Sequence, residues 1–221
     1  MNKEPAGVLG QRTWKQAWAD KTFRYTAAGT LLCAVVVVTL FSHFLGFIEA
    51  RPGALLQDPV LDRIPPRDVT WVTFSLIYAS LAIALSFLAR SPDRLLITIQ
   101  SYTIMVVTRM LAMFLSPLDP PSGMIALKDP FVEYFVGGGE TLTRDLFFSG
   151  HTSTMFLLAL TASSIRLRAL FVACTTAVGF CVVWQHVHYS FDVVAAPFFA
   201  YGAYRIVSLI HQQGGTVPPK H

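Results

Sequence analysis

The stretch Arg144-Asp-Leu-Phe-Phe-Ser-Gly-His151-Thr152 decides how this chain is organised, together with His186-Val-His188-Tyr-Ser-Phe-Asp192 about forty residues later. The first stretch places a histidine after a Ser-Gly pair, where a long apolar segment begins. In the second, His188 and Asp192 are four residues apart, one helical turn, so the imidazole and the carboxylate can share a hydrogen bond. Ionisable groups are costly at membrane depth, and they therefore indicate a functional site.

The composition predicts an integral membrane protein of one domain. Of the 221 residues, 53% are hydrophobic and 14% are charged, whereas an average soluble protein carries about 25% charged residues. The mean hydropathy is +0.52. The net charge of +4 is modest, and no block of Lys and Arg alternates with aromatic residues, so we do not expect nucleic acid as a partner.

Six apolar segments near the length of about 20 residues that crosses a bilayer predict an all-α membrane protein with six transmembrane helices. Their approximate bounds are Ala27–Ile48, Val69–Leu88, Leu95–Leu115, Leu146–Ile165, Ala169–Val187 and Phe191–Ile210. The domain organisation that follows is a cytoplasmic or interfacial N-terminal segment at 1–25, a catalytic six-span domain at 26–211 and a cytoplasmic tail at 212–221. Trp14, Ala17 and Trp18 share one face of a predicted helix in the headgroup region; a frayed tail is the alternative.

The distribution of Lys and Arg predicts the orientation in the membrane. The segments that share a side with the termini hold eleven Lys and Arg residues, and the opposite side holds five. Because cytoplasmic segments carry the excess of cations, we expect both termini in the cytoplasm. This topology places His151, His188 and Asp192 at one membrane face, the non-cytoplasmic one.

Two histidines and a carboxylate at one face can transfer a phosphoryl group without a metal. An imidazole oriented by Asp192 is a nucleophile toward phosphorus and forms a phosphohistidine. The imidazole of His151 can protonate the leaving alkoxide and later deprotonate the incoming hydroxyl. Arg109, inside the third predicted span, is the candidate cation for the phosphoryl oxygens, and the N–H groups of Gly150 and His151 can add to it.

Other interpretations stay open on the residues alone. A lone histidine such as His43 is more often an interfacial polar residue, and His186 fits either interpretation. Arg109 can instead pair structurally with Glu140 or Asp145. Metal ligation by the histidines and the aspartate lacks a closed ligand shell, so we expect neither a metal nor another cofactor.

These motifs resemble the type 2 phosphatidic acid phosphatase (PAP2) superfamily and, within it, the sphingomyelin synthase-like branch. The resemblance covers roughly Tyr102 to Tyr204, about half of the chain. Four motifs carry the resemblance. The first two are Asp145 followed after three residues by Ser149-Gly-His-Thr152, and His186-x-His188-Tyr-Ser-x-Asp192-Val-Val. The other two are Tyr102-x6-Arg109-x3-Met113 before a Pro-rich loop, and the glycine run Gly137 to Gly139.

The resemblance implies six spans, an outward-facing site and a catalytic triad in which His188 is the nucleophile, Asp192 orients it and His151 is the acid and base. The implied reaction breaks the glycerol-side phosphate ester of a phospholipid in the bilayer. Phosphocholine or phosphoethanolamine then moves to ceramide or a similar lipid alcohol such as diacylglycerol, or to water. The candidate substrate-binding residues are Tyr102, Arg109, Glu140, Asp145, Ser149, Gly150, His186 and Tyr189.

Departures from the superfamily pattern bear on the substrate. Phe148 stands where classical members have Pro, and Cys181-Val182 stands where they have Ser-Arg. The arginines that bind a phosphate monoester dianion are therefore missing, which favours a phosphodiester donor. We predict a head-group phosphotransferase; a PAP2-type lipid phosphatase or phospholipase C-like hydrolase with the same triad is the alternative, and non-catalytic lipid binding is the third hypothesis.

The host membrane is predicted from weaker features. The only asparagine is Asn2, so the sequence contains no glycosylation sequon. Together with the short tails, this favours a bacterial inner membrane with the site facing the periplasm. Association into a homo-oligomer stays open.

Overall fold

Seven α-helices make up most of the computed structural model, which describes residues 12–129 and 142–213. In chain order they are α1 (Trp14–Ala19), α2 (Lys21–Glu49), α3 (Thr70–Leu88), α4 (Pro92–Leu115), α5 (Gly150–Thr161), α6 (Ile165–Trp184) and α7 (Ser190–Gln213). These two ranges contain one isolated β-bridge and no β-strand. The all-α prediction is therefore confirmed.

Five of the helices, α2, α3, α4, α6 and α7, are long and apolar enough to cross a membrane, which supports an integral membrane protein. The predicted fourth span, Leu146–Ile165, contains only the 12 residues of α5. At 1.5 Å per residue this helix is about 18 Å long, too short for a hydrocarbon core of about 30 Å. The described helices thus do not confirm a sixth span.

The shortening of α5 has a local cause at each end. Ser149 caps the helix, since its hydroxyl oxygen accepts the N–H of Thr152 at 3.4 Å. At the other end, Ser164 caps α6 by accepting the N–H of Leu167 at 3.3 Å. Leu146 and Phe148 are buried at 1% and 0% exposure outside any helix. Their apolar character therefore reflects packing inside the bundle rather than contact with lipid.

The short helix α5 lies at the centre of the bundle, in contact with α3, α4, α6 and α7. On one side its Met155 and Leu158 pack with Phe74 of α3 and Val178 of α6. On the other side its Leu157 packs with alanines of α7, which are Ala196, Ala200 and Ala203. Small residues let neighbouring membrane helices approach closely. This packing fixes the N-terminus of α5 next to that of α7.

At the N-terminus, α1 forms over Trp14–Ala19 with Thr13 and Gln16 as a capping box. Ala17 is buried, while Trp14 and Trp18 are 36% and 51% exposed. The indole of Trp14 donates to the carbonyl of Ala89 at 2.6 Å. The helix therefore forms as predicted, and its place in the headgroup region stays a prediction.

The loops that follow α2 and α4 are joined to each other beside the bundle. Ala54 donates its N–H to Pro117 O at 3.0 Å, and Asp119 donates to Ala54 O at 3.0 Å. Gly53 makes this approach feasible, because a Cβ there would lie 2.6 Å from the N and Cα atoms of Leu118. No local pattern in either loop predicts this junction.

We expect Gly53→Ala to destabilise the protein by about 1–3 kcal/mol, because the methyl group overlaps a backbone that cannot move without breaking the junction. The measurement is the midpoint of thermal unfolding in detergent. Gly46→Ala in α2 is the control, since nothing lies within 4 Å of a Cβ there and alanine favours the helix. Equal midpoints for the two variants would contradict this account of Gly53.

Candidate active site

The predicted catalytic residues lie where α5 and α7 begin. His151 is the second residue of α5, and Asp192 lies in the first turn of α7, which follows His188 closely. The backbone N–H of Ser149 donates to the carbonyl of Asp192 at 3.2 Å, which ties the two helix starts together. Two motifs that are distant in sequence thus meet at one end of the bundle.

His188 and Asp192 form a buried pair. The Nδ1 atom of His188 is 3.5 Å from Oδ2 of Asp192, and the two side chains are 2% and 0% exposed. The same Oδ2 accepts the N–H of Tyr189 at 3.2 Å. Within the described residues, Nδ1 of His188 and Oδ1 of Asp192 have no hydrogen-bond partner. Catalytic contacts of this length commonly shorten in the reacting complex, and an orienting role for Asp192 stays a prediction.

His151 faces a cavity of about 240 Å³. Its ring packs edge-on against Phe74 of α3, with ring centroids 6.0 Å apart. Arg109 and Asp145 line the same cavity as His151. The cavity walls are formed by Phe41, Ile77, Tyr102, Met105, Val106, Arg109, Asp145, Gly150, His151, Thr154 and Met155. Five of the predicted site residues therefore share one cavity.

Arg109 is held against the start of α5 by several contacts. Its Nε donates to the carbonyl of Phe148 at 2.8 Å and its Nη2 to the carbonyl of Asp145 at 3.3 Å. The carboxylate of Asp145 lies 2.7 Å from Nη2, and the guanidinium lies over the ring of Phe41 at 5.6 Å. The residue is 7% exposed. Arg109 thus pairs with Asp145 and also lines the cavity, while its contact with a phosphoryl group stays a prediction.

Gly150 provides the space for that guanidinium. A Cβ at this position would lie 2.8 Å from Cζ of Arg109 and 2.9 Å from its Nη1. Real Cβ atoms do not come this close to another heavy atom, and the arginine is fixed by its own partners. The Ser-Gly-His sequence therefore needs its glycine for a steric reason.

Three further predicted site residues lie outside the cavity. Ser149 caps α5. The hydroxyl of Tyr189 donates to Asp119 O at 2.9 Å and accepts the N–H of Leu56 at 3.1 Å. The contacts of Tyr189, like those of His186, hold the loops in place. Substrate contact by Ser149, Tyr189 and His186 stays a prediction. Glu140 and the run Gly137 to Gly139 lie outside the described residues.

His186 follows α6 with a left-handed backbone, at φ 56°. Its Nδ1 lies 3.0 Å from Ser122 O and its Nε2 2.9 Å from Ile64 O. Glycine is the common residue at this position after a helix, and histidine is among the residues that tolerate this conformation. The turn aims the ring at the two loops and away from the cavity.

Two buried polar residues, Asp58 and Gln185, belong to no motif that predicts a site. The amide of Gln185 is fully buried; it accepts the N–H of Val69 at 3.1 Å and donates to the hydroxyl of Thr70 at 2.8 Å. Asp58 is 6% exposed and accepts hydrogen bonds from the start of α7. The one signal in the sequence is the dipeptide Asp58-Pro59, which favours a turn.

Hydrogen bonding keeps the carboxyl of Asp58 ionised. Burial by itself raises its pKa, but the hydrogen bonds donated by Ser190, Val60 and Leu61 outweigh burial, and the pKa is lowered. A lowered pKa in the folded state contributes stability above the unfolded pKa, and this contribution is lost as the pH falls through the folded pKa. At neutral pH the charged carboxylate therefore stabilises this end of the bundle.

The fold and the site together define a helical membrane protein with two histidines and an aspartate at one end of its bundle. Residues 144–209 match the model of the family described as PAP2 superfamily C-terminal. No curated protein matches the chain. The matched residues include His151, His188 and Asp192, and the match supports the PAP2 superfamily, whose enzymes are phosphatases and phosphotransferases. It suggests lipid phosphatase-type chemistry at this site.

Within residues 12–129 and 142–213, no three His, Cys, Asp or Glu side chains are placed to hold a metal ion together.

Proposed function

We propose that this protein is a lipid head-group phosphotransferase of the sphingomyelin synthase-like branch. It moves phosphocholine or phosphoethanolamine from a glycerophospholipid to ceramide or a similar lipid alcohol through a phosphohistidine at His188. The proposal rests on the charge of the cavity, where Arg109 is the one Lys or Arg among the lining residues that the structure describes. The sequence of residues 130–141 contains neither Lys nor Arg.

The guanidinium of Arg109 is already neutralised by Asp145, 2.7 Å away. A phosphate monoester carries close to two negative charges at neutral pH, and a site for it needs cations in excess. A phosphodiester carries one negative charge, which the N–H groups that begin α5 and the partly shared guanidinium can stabilise. The charge balance therefore supports a phosphodiester donor, and apolar wall residues such as Met105 and Met155 suit a lipid.

The proposed first step is attack by Nε2 of His188 on phosphorus, since Nδ1 faces Asp192. The bond from phosphorus to the glycerol oxygen breaks, and protonated His151 gives its proton to the leaving alkoxide, which departs as diacylglycerol. Asp192 stabilises the positive charge that develops on the His188 ring. In the second step the acceptor hydroxyl gives its proton to His151, its oxygen attacks phosphorus, and the phosphorus–nitrogen bond breaks.

His188 is 2% exposed and is not among the residues that line the cavity. The reacting phosphoryl group therefore has to enter deeper than the cavity wall, past His151. This requirement suits transfer between lipids, because a buried reaction centre excludes the water that would otherwise hydrolyse the intermediate.

The test uses the purified protein in liposomes with phosphatidylcholine or phosphatidylethanolamine labelled in the head group, with and without ceramide. Transfer predicts labelled ceramide product and diacylglycerol, formed only when ceramide is present. Free labelled head group in both reactions would instead indicate a hydrolase, and phosphate release from phosphatidic acid would indicate a PAP2-type phosphatase. An unchanged lipid profile would refute both enzymatic functions.

We also propose a bacterial inner membrane with both termini in the cytoplasm and the site facing the periplasm. The excess of Lys and Arg on the side of the termini supports this orientation. A reporter enzyme that is active only in the periplasm, fused after His221, should give no signal, and the same reporter inserted in the loop between α2 and α3 should give one. The reverse pattern of signals would show that the orientation in the membrane is the opposite of the one proposed.

For Gly150→Ala we expect kcat/KM for transfer to fall by about 10- to 100-fold, because the new methyl group displaces the guanidinium that binds the phosphoryl oxygens. The melting midpoint should also fall, because the displaced guanidinium loses its contacts with Phe148 and Asp145. Gly202→Ala in α7 is the matched control, because nothing lies within 4 Å of a Cβ there. Full activity of Gly150→Ala would show that the position of Arg109 does not matter to the reaction.

A further inference from the structure

Asp58, in the loop between α2 and α3, is a buried carboxylate that the proposed reaction does not use. It accepts four hydrogen bonds. Ser190 donates two of them, from its N–H to Oδ2 at 2.6 Å and from its hydroxyl to Oδ1 at 3.1 Å. The N–H groups of Val60 and Leu61 donate to Oδ1 at 2.9 Å and 3.4 Å. The loop is thereby fixed to the first residue of α7.

Asp58 shares the N-terminus of α7 with Asp192. The first N–H groups of a helix have no partner within the helix, and the helix dipole favours negative charge beside them. Asp58 accepts the N–H of Ser190 from a different part of the chain. Asp192 accepts the N–H of Tyr189 with its Oδ2 at 3.2 Å. Two carboxylates therefore divide the N–H groups where α7 begins.

This division bears directly on the orientation of Asp192. The Oδ2 atom that accepts from Tyr189 is also the atom that lies 3.5 Å from Nδ1 of His188. Its Oδ1 has no hydrogen-bond partner among the described residues. Without Asp58, the N–H of Ser190 would lose its acceptor, and Oδ1 of Asp192 is an acceptor in the same helical turn. A rotation of Asp192 toward Ser190 would take Oδ2 away from His188.

We propose that Asp58 is a positioning residue for the pair of His188 and Asp192. By accepting the N–H of Ser190, it leaves Asp192 turned toward Nδ1 of His188. The catalytic consequence of this role rests on the proposed function. The orientation of the imidazole does not depend on which lipid reacts.

Nitrogen-15 NMR spectra of histidine-labelled protein in detergent measure this orientation without turnover. The chain has six histidines, and the His188 signals are those that disappear in His188→Ala. In Asp58→Ala we expect the Nδ1 signal of His188 to move toward its position in Asp192→Asn. Asp68→Ala is the matched control, because Asp68 in the same loop accepts the N–H of Thr70 at 2.9 Å where α3 begins. In Asp68→Ala the Nδ1 signal of His188 should stay at its wild-type position.

In the transfer assay, Asp58→Ala should lower kcat by about 100-fold without raising KM, since misplacement of a catalytic group has an effect of that order. Asp58→Asn keeps one acceptor for Ser190, so its kcat should lie between that of the wild-type protein and that of Asp58→Ala. If Asp58→Ala folds poorly, Asp58→Asn still provides the test. Asp58→Ala added to Asp192→Ala should lower kcat no further, because both variants act through one contact.

A His188 signal that does not move in folded Asp58→Ala or Asp58→Asn would overturn the proposal. The proposal would also be overturned if Asp58→Ala and Asp58→Asn both had the same kcat as Asp68→Ala. A shifted signal in a protein that transfers no head group would support the positioning role of Asp58 and refute the proposed function, so the two failures are distinguishable.

Discussion

His188→Ala is expected to lower kcat/KM for head-group transfer by about 10⁴-fold or more, the size of effect seen when a catalytic nucleophile is removed. The variant should still fold and insert into the membrane, because within the described residues Nδ1 of His188 has no hydrogen-bond partner that the change would orphan. The side chain is nevertheless 2% exposed, so a modest loss of stability from the empty volume is expected. The measurement is the initial rate of ceramide labelling, with the melting midpoint recorded in parallel.

The control for this variant is His43→Ala, which removes an exposed histidine from α2 and should keep full activity. A second readout is the covalent intermediate. The wild-type protein given phosphatidylcholine labelled with phosphorus-32 and no acceptor should carry a label that is stable to base and labile to acid, as expected of a phosphohistidine. A label that persists in His188→Ala, or turnover in that variant at the wild-type rate, would show that another group is the nucleophile.

Arg109→Ala is expected to lower kcat/KM by about 10²- to 10³-fold, since it removes the cation that faces the developing charge on the phosphoryl oxygens. The same change frees the carbonyl of Phe148, which accepts from Nε at 2.8 Å, and leaves the carboxylate of Asp145 without its counterion. Removal of one member of such a pair is destabilising. We therefore expect a lower melting midpoint together with the loss of rate.

Two comparisons separate these effects. Arg51→Ala removes an arginine that also donates to a backbone carbonyl, that of Phe114 at 3.1 Å, and also lies over aromatic rings, but outside the cavity. It should lose stability without a comparable loss of kcat/KM. Arg109→Ala combined with Asp145→Asn should regain stability and stay slow. A double variant that regained the wild-type rate would mean that Arg109 has a purely structural role.

Much of the fold could be predicted from local pattern. The five long spans were found within a few residues of their observed bounds, because a run of about 20 apolar residues has few alternatives to a membrane helix. The motif residues His151, His188 and Asp192 were identified because charged or titratable side chains are rare beside such runs.

The length of α5 could not be predicted in the same way. Hydropathy does not distinguish a residue that faces lipid from one buried against protein, so Leu146 and Phe148 were read as part of a span. In the structure they pack in the bundle outside any helix. The roles of Asp58, Gln185 and His186 were missed or undecided because their partners lie in other loops, and no periodicity connects residues across such distances.

The sequence by itself predicted the residues of the candidate site, and it placed them at one end of the bundle, where the starts of α5 and α7 meet. The spacing of His188 and Asp192 predicted that these side chains lie close together, although His188 precedes α7. The long apolar runs predicted the five long helices. Only the folded chain decided which groups surround that site. Arg109 reaches the cavity because Gly150 leaves room for it, and Asp58 meets Ser190 because two loops pack against the corner between α6 and α7. These contacts join residues far apart in the chain, so their energies depend on packing that local sequence does not encode.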